Sequence, residues 1–442
     1  MELTQLTELM RNSGVAGAGG AGFPSYAKLD KRADTIVLNC AECEPLLKLH
    51  RQVMEAYALE IMTALEWIRE AVEAEQVIIA IKSSYKGAIA AINSHLGKFK
   101  RTKIGILPEI YPAGDEVVTI YETTGRVVAP GALPITVGVT VFNVETALNV
   151  YYAVKEQKGV SFKYITIAGE VKNPTTFKAP LGMTYGELIA LCGGATVADP
   201  VLIAGGPMTG RVTSAADVVT KTSNAILVLP RNQYVAEKKL TPVKMNMQRA
   251  MAACCQCRMC TDLCSRNLLG HPIEPHRFMR ALTNGQTNDT PAYMNTFFCS
   301  GCGLCEMYSC GQGLSPATLI GRVKGSLRAS GVTPPKDAKQ KPVSETRKYS
   351  RVPMSRLTAR LGLTKYNVPA PLKDQLLEAA SVKIMLSQSI GAPSVACVKA
   401  GDKVAAGQMV GAPAEGKLST AVHASIGGTV AEVTDKYVLI RR

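Results

Sequence analysis

The 442-residue chain is long enough for two to four domains, because a single hydrophobic core seldom serves more than about 250 residues. Hydrophobic residues make up 47% and charged residues 19%, which excludes an intrinsically disordered chain. The formal charge of +15 points to nucleic acid only if it is spread over a surface, and thirteen cysteines are too few for a disulfide scaffold.

Residues 1–11 carry Glu2 and Glu8 and no apolar run, so no secretion signal is expected, and clustered cysteines then suggest metal before disulfides. Residues 14–24 (GVAGAGGAGFP) are too glycine-rich for a helix and form, alone, a weak phosphate-loop pattern. Residues 35–38 and 77–81 predict buried strands, and an apolar helical periodicity over 51–73 lies between them. Strand, helix, strand in that order predicts a βαβ unit with a parallel sheet. The longest uncharged stretch, 127–144, contains two prolines and two glycines and reads as strand and loop rather than a membrane span.

Residues 164–171 predict a strand, 185–191 a short helix and 201–206 another strand, a small α+β module. From 245 to 326 the pattern is of short helical pieces, with cysteines in place of a large apolar core. Residues 331–371 are basic and proline-rich, the composition of a linker or a surface-hugging strap. Residues 381–442 alternate short apolar strands with glycine turns and predict a small all-β barrel or flattened sandwich.

The charge localises. Between Ile320 and Lys365 twelve Lys and Arg face only Asp337 and Glu345, so +10 of the +15 sits in one strap. With almost no interleaved aromatics it lacks the stacking groups of a single-strand binder, and no nucleic-acid partner is expected.

Two cysteine blocks carry the strongest signal: Cys254, Cys257, Cys260 and Cys264, then Cys299, Cys302, Cys305 and Cys310. Three thiolates at C-x2-C-x2-C spacing hold one corner set of an iron–sulfur cube, and in two-cluster ferredoxins the remote cysteine ligates the other cube. Crossed ligation assigns Cys254, Cys257, Cys260 and Cys310 to one [4Fe–4S] cluster and Cys299, Cys302, Cys305 and Cys264 to a second. A zinc reading leaves the third cysteine of each run unexplained. The proline expected after the remote cysteine is missing, since Ser265 follows Cys264 and Gly311 follows Cys310. Cys255, Cys192 and Cys397 are expected to be packing residues, and His271 and His276 structural.

Four motifs occur in order: the glycine loop, 39–45 (NCAECEP), 111–116 (YPAGDE) and 143–146 (NVET). Together they resemble the flavin domain of the NADH-oxidising subunit of respiratory complex I, in the shortened version shared by the RnfC component of Rnf complexes and the cobalamin reductase of propanediol-utilisation microcompartments. Residues 392–440 resemble the lipoyl-like barrel-sandwich domain of RnfC, and their C-terminal position is the order of the microcompartment reductase. Lys417 is a poor match to a lipoylated lysine, so an unmodified domain is expected.

The resemblance implies a multidomain α/β and α+β protein: a 1–155 FMN/NADH-binding α/β domain, a 160–235 SLBB-type β-grasp domain, a 245–330 helical two-cluster ferredoxin-like domain, a 331–378 basic linker and a 379–442 lipoyl-like β domain. It carries FMN contacts to Gly17, Gly19, Lys28, Asn39, Glu42, Tyr111, Gly114, Asp115, Glu116, Asn143 and Thr146, and NADH contacts to Phe23 and Glu44. Backbone amides and a lysine suit an anionic phosphate, and Asn and Thr suit ring and ribityl hydrogen bonds. Phe142 and Ala41 depart from the complex I pattern, and the adenine-clamping aromatic loop is absent.

The function implied is electron transfer from NADH through FMN and two [4Fe–4S] clusters to a one-electron acceptor, a cobalamin or corrinoid-enzyme system serving a diol dehydratase inside a bacterial microcompartment of the cytoplasm. A shell-protein partner and a homo-oligomer accompany that implication, with no separate catalytic acid or base. The alternatives are an electron-input subunit of an Rnf-like membrane complex, or a relay or scaffold subunit that no longer oxidises NADH.

Overall fold

The computed structural model describes all 442 residues. Helix α1 (Leu3–Asn12) precedes the glycine loop, and the first sheet follows as β1 (Thr35–Asn39), β2 (Gln76–Lys82) and β3 (Thr102–Leu107), with a short β4 (Ile110–Tyr111) before β5 (Val139–Asn143). The strand order is β3-β2-β1-β5 and every pairing is parallel, as the βαβ pattern predicts. The runs are apolar throughout because both faces are covered. Ile36, Leu38, Val77, Ile79 and Ile81 face α2 (Leu49–Ala56), α3 (Ala58–Val72), α4 (Lys86–Leu96) and α6 (Val144–Lys155). Val37, Ile78, Ala80 and Val141 face α5 (Glu116–Thr124).

The single helix expected over 51–73 is two. Tyr57 leaves helical geometry at φ −132° and ψ 35°, ending α2 and starting α3. Its ring packs on Tyr164 and its hydroxyl bonds Asp374, so a tertiary contact overrides the local periodicity.

The second module is one mixed sheet. Strands β6 (Phe162–Gly169), β7 (Thr175–Pro180), β8 (Val201–Ala204), β9 (Arg211–Thr213) and β10 (Ala225–Leu229) stand in the order β7-β6-β10-β8-β9. Its one helix, Tyr185–Leu191, begins with a capping box in which Thr184 and Glu187 satisfy each other's backbone amides. The cysteine-rich region is built on three helices, Val243–Ala253, Pro275–Thr283 and Pro316–Ala329, around a small core that includes Phe278, Leu319 and Ile320.

The 331–378 segment is not a solvated linker. Arg347 and Arg351 both bond Glu122 on α5, at 2.5 and 3.1 Å. Strand β11 (Val352–Pro353) pairs antiparallel with β4, and β12 (Leu372–Leu376) extends the second module's sheet beside β7. Between them Leu357, Leu361 and Leu363 are fully buried against Leu227, Leu229 and Leu304. The basic composition hid this because its apolar residues are few and regularly spaced, while its lysines point outward.

The last module is two small sheets, one of four strands and one of three, a flattened sandwich rather than a closed barrel. Its Leu386, Val410, Val422 and Ala424 join the core that holds α1 to α4. The buried Lys221 fastens the seam by donating to the carbonyls of Gly14 and Ala421 at 2.7 and 2.6 Å.

Candidate functional site

In the first sheet the chain proceeds outward from β1 to β3 and then returns to place β5 on the other side of β1. That reversal opens a crevice at the C-terminal ends of β1 and β5, the position where open α/β sheets bind ligands. Asn39 and Asn143, the last residues of those strands, are register partners and both line a cleft of about 290 Å³ there. The glycine loop forms its other wall.

Eight of the eleven residues expected to hold FMN line this cleft: Gly17, Gly19, Lys28, Asn39, Gly114, Glu116, Asn143 and Thr146. Phe23 lines it as well. The N–H groups of Gly19, Gly20, Ala21 and Gly22 donate to no protein acceptor, whereas Ala18 donates to the Thr146 hydroxyl at 2.9 Å. Lys28 reaches the carbonyl of Val141 at 2.8 Å and the Glu116 carboxylate at 3.1 Å. A Cβ on Gly19 would stand 2.9 Å from Asn143 Nδ2, and one on Gly114 would stand 2.4 Å from the Ala41 carbonyl, so both positions need glycine. Asn143 is locked: its Oδ1 accepts from the Glu145 N–H and its Nδ2 contacts His50 Nε2 at 2.9 Å. Burial lowers His50 to about 3, so the imidazole is neutral and Nε2 is the acceptor.

Three expected residues sit elsewhere. Glu42 is buried behind the cleft, where one carboxylate oxygen accepts from the Leu49 N–H and the other has no partner. Burial, only partly offset by Arg51, pushes it up to about 7. Asp115 caps α5 through the N–H groups of Val117 and Val118, and its second oxygen pairs with Arg266 at 2.9 Å. Tyr111 is buried and donates its hydroxyl proton to the backbone carbonyl of Cys302 at 2.5 Å. Both residues thus tie the flavin-type domain to the cysteine-rich module, because the 111–116 loop lies against it.

Glu44, expected to hold a ribose, is occupied. Its carboxylate accepts from the N–H groups of Met208 and Thr209 at 2.8 and 2.9 Å and from the Thr209 hydroxyl. The 206–209 turn of the second module closes so tightly over it that a Cβ on Gly206 would stand 2.1 Å from its carboxylate.

The cysteines separate into two sets. Cys254, Cys257, Cys260 and Cys310 line one cavity, and Cys264, Cys299, Cys302 and Cys305 line another. No three His, Cys, Asp or Glu side chains converge closely enough to hold a single metal ion. Burial raises the thiols of Cys260 and Cys264 to about 12 and that of Cys302 to about 11, so loading these cavities with iron must release protons. The Cys302 cavity is the one that touches the flavin-type domain, through Tyr111 and through Arg266 beside Cys264. The Cys257 loop, by contrast, is exposed at Cys255, Gln256, Cys257 and Arg258.

Spare residues also find places. Cys192 is buried as expected, whereas Cys397 and Cys255 are exposed. His271 bonds the Val128 carbonyl and His276 the Thr261 hydroxyl, both structural contacts. No local pattern points to His50, Lys221 or Arg266, whose partners lie 93, 207 and 151 residues away.

Models of known domains match four stretches: the Nuo51 FMN-binding domain over 10–152, the SLBB domain over 164–212, a 4Fe-4S dicluster domain over 253–315 and the RnfC barrel sandwich hybrid domain over 369–441. The chain is 40% identical to the cobalamin reductase PduS of Citrobacter freundii over 99% of its own length and 96% of that protein. It is 39% identical to the PduS of Salmonella typhimurium over the same shares. A component of the Na(+)-translocating ferredoxin:NAD(+) oxidoreductase complex of Acetobacterium woodii is 32% identical over 61% of this chain and 59% of that one. The domain content here is that of a flavo-iron–sulfur oxidoreductase, and full-length likeness to both PduS proteins means that this chain belongs to the cobalamin reductase PduS family.

Proposed function

We propose that the protein oxidises NADH and reduces cobalamin, with FMN in the β1/β5 cleft and one [4Fe–4S] cluster in each cysteine-lined cavity. The observation that carries this reading is continuity: the cleft loop that contributes Gly114 and Glu116 also holds Tyr111 against Cys302 and Asp115 against Arg266. When bound, FMN supplies the exchange between two-electron and one-electron chemistry, and the clusters supply one-electron transfer.

The chain's own residues support that chemistry. Four free N–H groups of the glycine loop and the Lys28 ammonium suit a phosphate, and Gly17, Gly19 and Gly114 leave room for a ring to approach the backbone. Asn39 is held by the Gly114 carbonyl at 2.9 Å, so its amide cannot rotate away from the cleft. Phe23 offers an apolar face to a nicotinamide. Membership of the family supports a place in a propanediol-utilisation microcompartment with a shell-protein partner, and no helix is long and apolar enough to cross a membrane.

A second reading rests on Glu44. With its carboxylate fully engaged by the 206–209 turn, the chain relays electrons without binding NADH as complex I does. Anaerobic titration of the FMN- and iron-loaded protein with NADH separates the two. Flavin bleaching followed by cluster reduction supports the reductase; reduction by dithionite alone rules it out in favour of the relay.

A further inference from the structure

A half-open cavity of about 520 Å³ lies beside the Cys302 loop, between the 208–212 loop of the second module and the N-terminus of helix Pro316–Ala329. It shares Gly303 and Ala317 with the Cys264/Cys302 cavity, so a single layer of backbone separates the two. Gly303 has φ +74° and an N–H without a protein acceptor, which leaves bare backbone at that wall.

The lining is cationic and hydrogen-bonding. Lys238 and Lys239 have their ammonium groups tied to the carbonyls of Leu314 and Gly210, and Glu306 is consumed by the Thr318 N–H and hydroxyl at 2.8 and 3.0 Å. Arg211 is exposed at the mouth and makes no ion pair or hydrogen bond, so its guanidinium is free for an anion. The neighbouring Val212, 45% exposed, adds an apolar surface. An occupant therefore needs an anionic group for Arg211, polar substituents for the backbone and hydroxyls, and an apolar body.

We infer that this cavity receives one edge of the corrinoid acceptor. The macrocycle's amide side chains meet the Gly303 N–H and the threonine oxygens, its phosphate meets Arg211, and its ring edge meets Val212. This deepens the cobalamin-reductase reading and rests on it. The cavity is smaller than a whole corrinoid, so only an edge enters and the rest stays at the open mouth.

The test is equilibrium dialysis of cob(III)alamin against the full-length, FMN- and iron-loaded protein in its oxidised state. The parent is expected to bind. Arg211→Glu and Val212→Trp are each expected to weaken binding about tenfold or more with iron and FMN content unchanged, whereas Lys403→Glu, the same charge change on the distant C-terminal module, is expected to retain it. No binding by the parent, retention by both cavity variants, or equal loss in Lys403→Glu would overturn the site. NADH-driven reduction is measured in parallel: a parent that binds cob(III)alamin but never reduces it overturns the functional reading while leaving the site standing.

Discussion

The flavin-type domain and the cysteine-rich module solve the same problem with different materials. The first stacks two apolar layers on a parallel sheet, with Ile36, Leu65, Ile79 and Leu148 among the fully buried side chains. The second has a separate core of six buried residues, Ala250, Phe278, Met279, Leu314, Leu319 and Ile320, and places Leu269, Leu304 and Met307 in cores shared with its neighbours. A core of that size offsets little of the chain entropy of the region by itself, so its neighbours and its cysteine ligands carry more of the load. One is a scaffold in its own right, while the other leans on its neighbours and on what its cysteines bind.

The comparison breaks most visibly if iron is withdrawn. Anaerobic chelation, or the pair Cys257→Ser and Cys302→Ser, is expected to raise amide hydrogen exchange over 245–330 by orders of magnitude while β1 to β3 stay protected. Uniform protection in iron-free protein would show that the small core suffices. Each single serine variant should lower iron from about eight to about four per chain, because the two cavities share no cysteine.

The converse probe is Leu65→Ala, which leaves a void in the fully buried face of α3. It is expected to cost about 2–5 kcal/mol and to lower the Tm of the flavin-type half with iron content unchanged. Lys221 then sharpens the contrast through pH. Burial lowers it to about 7 from 10.5, and its two carbonyl partners satisfy a neutral amine but leave the third N–H of an ammonium unpaired. Between about pH 7 and 10.5 the unfolded chain therefore binds the extra proton, so stability rises with pH, by up to about 1.4 kcal/mol per unit, and the penalty is complete below pH 7. Lys221→Met should flatten that slope in denaturant titrations; an unchanged slope would assign it to other groups.

The smallest effect is expected at the join. Asp115→Asn keeps the cap on α5 but removes the charge facing Arg266, a pair whose side chains are 8% and 17% exposed. A loss of about 1–2 kcal/mol, the difference between a charged and a neutral hydrogen bond, is the expected result, seen as faster proteolysis of 245–330 with the flavin-type half unaffected. Destabilisation of both halves together would mean that they unfold as one unit.

Legibility in the sequence followed the range of the interactions. The parallel strands and the cysteine spacing are local patterns: 35–38 and 77–81 are β1 and β2, and the two sets of cysteines line separate cavities. The cleft was legible because its glycines and Asn143 lie in ordered motifs. The roles of Tyr111, Asp115 and Glu44 were not, since each depends on a partner more than 150 residues away: Cys302, Arg266 and Thr209. Between linker and strap the composition did not choose, because abundant lysines mask the few apolar residues at helical spacing, Leu357 and Leu361, that pack the strap down. Nothing in 51–73 announces the break at Tyr57, which only Tyr164 and Asp374 explain.

Strand β12 also sets a timetable for the ribosome. It covers β7, the outer strand of the second module's sheet, yet roughly 140 residues separate it from β10, the last of the other strands. At about 5–20 residues per second, β7 waits about 7–28 s with its edge unpaired. Unpaired edges recruit other strands. For that interval each nascent chain is open to its neighbours on the same message.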